Sequence, residues 1–180
     1  MRPRPLRFLA PLAAALLLLA ACDSKDTRRS LSMDGLGAVK IGMTATQAET
    51  ALGVKLKPRD AQFFEPACWY TSRADGQDPF VRYMVSGEEV VRIDIDKAPP
   101  QAVAVVSDKG IGIDTDEAAA TAAYGDALKS TPHRYVEGGH YLRVAAPDGA
   151  RALLFETDAG KVTTFRAGRV PYVDYVERCS

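Results

Sequence analysis

The chain has 180 residues, of which 47% are hydrophobic, and it carries 23 basic and 23 acidic side chains. This apolar content excludes a disordered chain, and the lack of a basic excess argues against a nucleic-acid binder. Loss of residues 1–21 would remove Arg2, Arg4 and Arg7 and no acid, leaving 20 basic against 23 acidic residues and a net charge of −3.

The N-terminus is built in three parts. Met1–Arg7 holds three arginines and no acid, Phe8–Ala21 is apolar with Pro11 its only interruption, and Leu19-Ala20-Ala21-Cys22 follows. A charged start, a short apolar stretch and small residues before a cut predict a secretory signal over residues 1–21. At about 1.5 Å rise per residue the apolar stretch is too short for a hydrocarbon core of about 30 Å, so it reads as an export signal and not a permanent span. Leu-Ala-Ala-Cys resembles the lipobox of bacterial lipoproteins. The resemblance implies a diacylglycerol on the Cys22 sulfur, cleavage just before it and acylation of the new amine, typically by palmitate. It implies a membrane anchor facing an extracytoplasmic space, on the periplasmic side of the inner or the outer membrane. The other reading is an ordinary cleaved signal in which Cys22 is incidental. Asp23–Met33 is polar and aperiodic, which predicts a lipidated tether over 22–33 before a single globular domain over 34–180.

Within the domain, Val39 and Ile41 lead into Thr44-x-x-Gln47, a capping-box pattern, and Ala48, Ala51 and Leu52 recur at helical spacing before Gly53. Alternating runs then predict strands over Cys68–Arg73, Phe80–Ser86 and Glu89–Asp96. A shift of 72 residues, Ile41 to Ile113, brings up the same order. Asp114-x-x-Glu117 starts a helix through Ala120, Ala123 and Tyr124, which stops at Gly125. Strands follow over His140–Ala146, Arg151–Thr157 and Lys161–Ala167, with a final strand over Tyr172–Cys179. Ser86-Gly87 and Ala159-Gly160 read as hairpin turns. The fold class is α+β: two tandem helix-plus-antiparallel-sheet units, about 34–98 and 105–180, forming one continuous sheet with helices on one face.

The Gly-x-Val-x-Ile-Gly-Met-Thr-x-x-x-Ala…Leu-Gly run over Gly37–Gly53 resembles the opening motif of the small outer-membrane assembly lipoprotein module. The tandem arrangement resembles the β-lactamase-inhibitory-protein-like fold. These resemblances imply a module found in assembly-machine subunits and in hydrolase inhibitors. The second copy departs from the motif, with Asp114-Thr115 where the first has Gly42-Met43.

If Cys22 carries lipid, Cys68 and Cys179 remain. In an oxidising compartment an even pair points to a disulfide; two lone thiols are the alternative. With both cysteines taken as facing inward, strand parity places Tyr70, Leu142, Val144, Val173 and Tyr175 in the helix-side core. The opposite face then carries Trp69, Tyr141, Arg143, Arg82, Arg92 and Arg166, with Asp94 and Thr164. Aromatics and arginines are enriched in interaction hot spots, so this face is the candidate protein-binding surface. A solvated face stabilised by cross-strand Arg/Asp pairs is the plainer reading.

Catalytic, cofactor and metal motifs are not found. His133 and His140 are spaced unlike zinc ligands and read as surface or turn residues, and the Asp114–Glu117 acids fit helix capping better than calcium. Asp94 and Glu156 could serve a hydrolase only if geometry brought them together. The expected function is therefore a non-enzymatic, lipid-anchored protein-binding module of the cell envelope, with an envelope protein as partner. Its rivals are an inhibitor of a secreted hydrolase of the lysozyme or β-lactamase class, and an envelope enzyme.

Overall fold

Alternation of apolar and polar residues makes strands the predominant regular structure of the described chain. A computed structural model describes residues 29–58, 68–177 and 179. The signal segment and Cys22 lie outside the described residues. In chain order the elements are β1 (Arg29–Ser32), β2 (Gly35–Leu36), β3 (Val39–Lys40), α1 (Ala45–Leu52), β4 (Cys68–Thr71), β5 (Val81–Ser86), β6 (Glu89–Ile95), β7 (Val105–Ser107), α2 (Glu117–Tyr124), β8 (Leu128–Pro132), β9 (His140–Ala145), β10 (Arg151–Asp158) and β11 (Lys161–Arg169). A 3-10 turn over Tyr172–Asp174 follows.

The fold is α+β, with two sheets where a single one is expected. The larger has seven strands in the order β4-β5-β6-β11-β10-β9-β8, and each of its neighbouring pairs is antiparallel. Its first three strands and last four meet where β6 pairs with β11. Gly168 sits on this seam opposite Arg92, and a Cβ there would lie 2.6 Å from the Val91 carbonyl oxygen, so only glycine lets the backbones approach. The smaller sheet runs β3-β2-β1-β7, with β1 and β7 parallel. β1 corrects the expected tether: Leu31 is fully buried, so within the described residues the chain is already fixed at Arg29. Short strands of two to four residues give too few alternations to be read from sequence.

One face of the large sheet packs against both helices and the small sheet. Ala48 and Ala120 share a core with Leu31, Val39, Val85, Ile93, Phe155 and Phe165. The α1 capping box forms as expected, with Thr44 accepting from the Gln47 N–H and Gly53 left-handed past the end. In the second helix the cap moves: Asp116, not Asp114, is the N-cap, and its side chain makes no cap bond. Asp114 has φ 65° and pairs with Lys97 at 3.2 Å. The Ala159-Gly160 hairpin turn is present with both residues at positive φ, and the β5–β6 turn has Gly87 and Glu88 there. The expected final strand is instead the 3-10 turn and an irregular segment.

Candidate functional site

The face of the large sheet turned away from the helices is where charge collects. Register places Arg82, Asp94, Arg166, Leu154 and Arg143 in one row across β5, β6, β11, β10 and β9. Sequence parity thus groups Tyr141, Arg143, Arg82, Arg92 and Arg166 on the right face. It fails in two respects. Trp69 lies on the other side, packed against the helix-side core. Cys68 and Tyr70 lie with the arginines, in a cluster with Met84 and Val91.

The face is also not open. From Val170 the chain turns back across it as a strap. Val173 is fully buried against Ala152 and Leu154, and Tyr172 packs on the Met84–Val91 cluster. A Cys68–Cys179 disulfide with Cα atoms 5.9 Å apart ties the strap's far end to β4. The expected pairing is therefore present, but on the strap side, and Val173 and Tyr175 belong to the strap.

An irregular segment laid over a sheet has carbonyls that no ladder satisfies. The buried arginines supply the missing donors. Arg92 Nη1 donates to the Tyr172 and Tyr175 carbonyls at 2.9 and 2.8 Å, and Arg166 Nε donates to the Val173 carbonyl at 2.7 Å. Arg143 binds the Asp174 carboxylate at 2.7 Å. Arg92 and Arg166, expected on an exposed patch, are 5% and 3% exposed. Their task is to hold the strap.

The charges are paired beneath it. Arg92 and Asp94 meet at 2.6 Å. Burial opposes the Arg92 charge, but the adjacent Asp94 outweighs it and holds the guanidinium above its ordinary pKa. Arg82 and Arg92 lie 5.6 and 5.8 Å from the Tyr70 ring centre. Burial, reinforced by Asp94, pushes the Tyr70 phenol up to about 12 against the pull of the neighbouring arginines. Arg82 itself is exposed and pairs with Asp96 at 2.8 Å.

A second network adjoins the first. Arg166 pairs with Glu156, whose other oxygen lies 3.3 Å from His133 Nε2. The Nδ1 of His133 accepts from the Tyr135 and Val136 N–H groups, both at 3.1 Å. Two donors at Nδ1 assign the proton to Nε2, which then donates to Glu156. The ring stacks on Tyr141 at 4.3 Å. His133 is thus a half-buried structural group at the start of a turn, and His140 is half-buried with Nδ1 3.1 Å from Glu117. Asp94 and Glu156 are each committed to an arginine.

The strap and the residues beside it form a ridge of aromatic and charged groups, of which the sequence reading singles out only Tyr141 and Arg143. Tyr172 and Tyr175 meet edge to face at 5.6 Å, and Tyr135 bonds Glu177. Arg134 lies over Tyr135, and Tyr141 packs against Val173. Tyr135 is 56% exposed. The available signal is four tyrosines within or next to two turn-rich stretches, which carry no period.

Among the described residues no group of three or more His, Cys, Asp or Glu side chains could hold a metal ion, and no helix is long and apolar enough to cross a membrane. A cavity of about 350 Å³ lies elsewhere, under the Lys97–Ala104 loop. No family model, curated protein or solved structure matches this chain.

Proposed function

We propose that this chain is an exported lipoprotein, anchored through acylated Cys22, whose domain is a non-enzymatic protein-binding module of the cell envelope. The anchor rests on the three-part N-terminus ending in Leu-Ala-Ala-Cys. The Cys68–Cys179 disulfide is consistent with an oxidising compartment. The two halves read as copies of one unit, a helix followed by antiparallel strands, three in the first (β4–β6) and four in the second (β8–β11). The strand order supports this, because β6 and β11, the last strand of each copy, are neighbours.

The observation that carries the binding role is the ridge over the strap. Tyr135, Tyr172 and Tyr175, with Arg134 and Arg143, present the residue types that dominate protein interfaces. The disulfide and the arginine-held carbonyls fix the strap part of this ridge, with Tyr172 and Tyr175, in advance, which reduces the entropy cost of binding. Mass spectrometry of the chain extracted from membranes tests the anchor: a mature N-terminus at Cys22 carrying acyl chains is expected, and an unmodified thiol refutes it. A crosslinking pull-down from native membranes tests the ridge. Tyr135→Ala/Arg134→Ala should lose a partner that the wild type and Trp69→Ala both retain. Equal recovery by all three chains contradicts it.

A further inference from the structure

Arg29 and the loop over residues 97–104 lie at the same end of the domain. Arg29, the first described residue, donates its N–H to the Ala104 carbonyl at 3.1 Å and pairs in register with Val105. Its side chain binds Asp78 at 2.7 Å, two residues before Phe80. Phe80 accepts the Asp96 N–H at the end of β6, where the loop begins. Between Lys97 and Val105 the sequence is Ala-Pro-Pro-Gln-Ala-Val-Ala, without a charge. Pro99, Pro100, Gln101, Val103 and Ala104 are exposed, and Val103 is 50% exposed, one of three large hydrophobics so placed among the described residues. The cavity of about 350 Å³ beneath the loop is lined by Phe80, Ile95, Val105 and Ile113. At this end Lys97 pairs with Asp114 and Lys161 with Asp116, and Asp158 is exposed on the same β10–β11 turn.

We infer that the Lys97–Ala104 loop is a membrane-contact surface that rests its apolar residues in the lipid to which Cys22 is attached. This rests on the anchor reading above. Seven residues, 22–28, separate the anchored sulfur from the fixed strand. Fully extended they span at most about 25 Å. The end of the domain bearing Arg29 and the loop is therefore held at the bilayer surface by chain length alone. A stretch over residues 98–104 with no charge and an exposed valine carries no charge into the headgroup boundary, where apolar faces sink about 5–10 Å. The charged turn at the opposite end, with Asp148 and Arg151, points away from it, because β9 and β10 run between the two ends.

The test uses the full chain purified with its lipid and reconstituted at low density in phosphatidylethanolamine and phosphatidylglycerol vesicles with brominated acyl chains. Trp69→Phe removes the native indole, and a reporter is placed as Val103→Trp, as Gln101→Trp, or as Ala150→Trp at the far end. Emission from positions 103 and 101 should fall by about twofold or more relative to unbrominated vesicles, as expected for shallow insertion, with position 150 unaffected. Equal quenching at 150, or none at 103 and 101 in a chain whose mass shows acylated Cys22, overturns the surface and leaves the anchor standing. A blue shift at 103 that grows with protein concentration and ignores bromine assigns the loop to a second copy and overturns it too. An unmodified Cys22 defeats the anchor and with it the argument for the loop.

Discussion

Arg92 does three things at once: it neutralises Asp94, stacks near Tyr70 and ties down two strap carbonyls. Arg92→Met leaves the Asp94 carboxylate buried without its partner, which costs about 3–5 kcal/mol. Urea denaturation should show that loss, and Arg92→Met/Asp94→Leu should recover a large part of it, because the uncompensated charge is gone. Tyr70 gives a pH signature. Its folded pKa of about 12 exceeds the ordinary 10.0, so the unfolded chain loses the phenolic proton first. The stability tied to the neutral phenol is complete below pH 10 and is lost as pH rises from 10 towards 12. At about 1.4 kcal/mol per unit of pKa, the loss amounts to about 2–3 kcal/mol. Denaturation at pH 9 and pH 11.5 should therefore show a smaller alkaline loss for Tyr70→Phe than for wild type.

At the scale of elements, the two helices differ in how their first turns are capped. Thr44→Ala removes the hydroxyl that accepts the Gln47 N–H in a formed capping box, leaving the Thr44 N–H bond to the Gln47 side chain, and should cost about 1 kcal/mol. Asp116→Ala removes a side chain that makes no cap bond and should cost less; thermal denaturation of the two variants compares them. The long strands were legible because Val81, Tyr83 and Val85, or Leu153 and Phe155, alternate with residues that face the other side. β8 was not, since of Leu128–Pro132 only Leu128 is buried. The misplaced Trp69 has a specific cause. Parity sorts residues into two faces but does not say which is covered, and a paired cysteine marks the helix side only if the other face is open. The large sheet is covered on both sides, so a buried disulfide marks neither. The strap has no period, and its fixing groups, Arg92 and Arg166, look like surface charges in a strand pattern because the carbonyls they satisfy lie some 80 and 7 residues away in sequence.

For the whole molecule, the layers are helices and small sheet, large sheet, then strap. The disulfide closes a separation of 111 residues, and on the chain-entropy view this restricts the unfolded state by about 4–5 kcal/mol. Cys68→Ser/Cys179→Ser should lower the urea midpoint accordingly, and proteolysis of that variant should begin in the strap. The same layering decides where a partner can bind. Arg92 and Arg166 lie beneath the strap, so the proposed contact falls to the ridge above them. Site-specific photo-crosslinking in cells tests this most directly, with the reactive side chain placed at Tyr135 or, for comparison, at Trp69. A discrete protein adduct from position 135 and none from position 69 is the predicted result; an adduct from position 69 alone, or none from position 135, would contradict it.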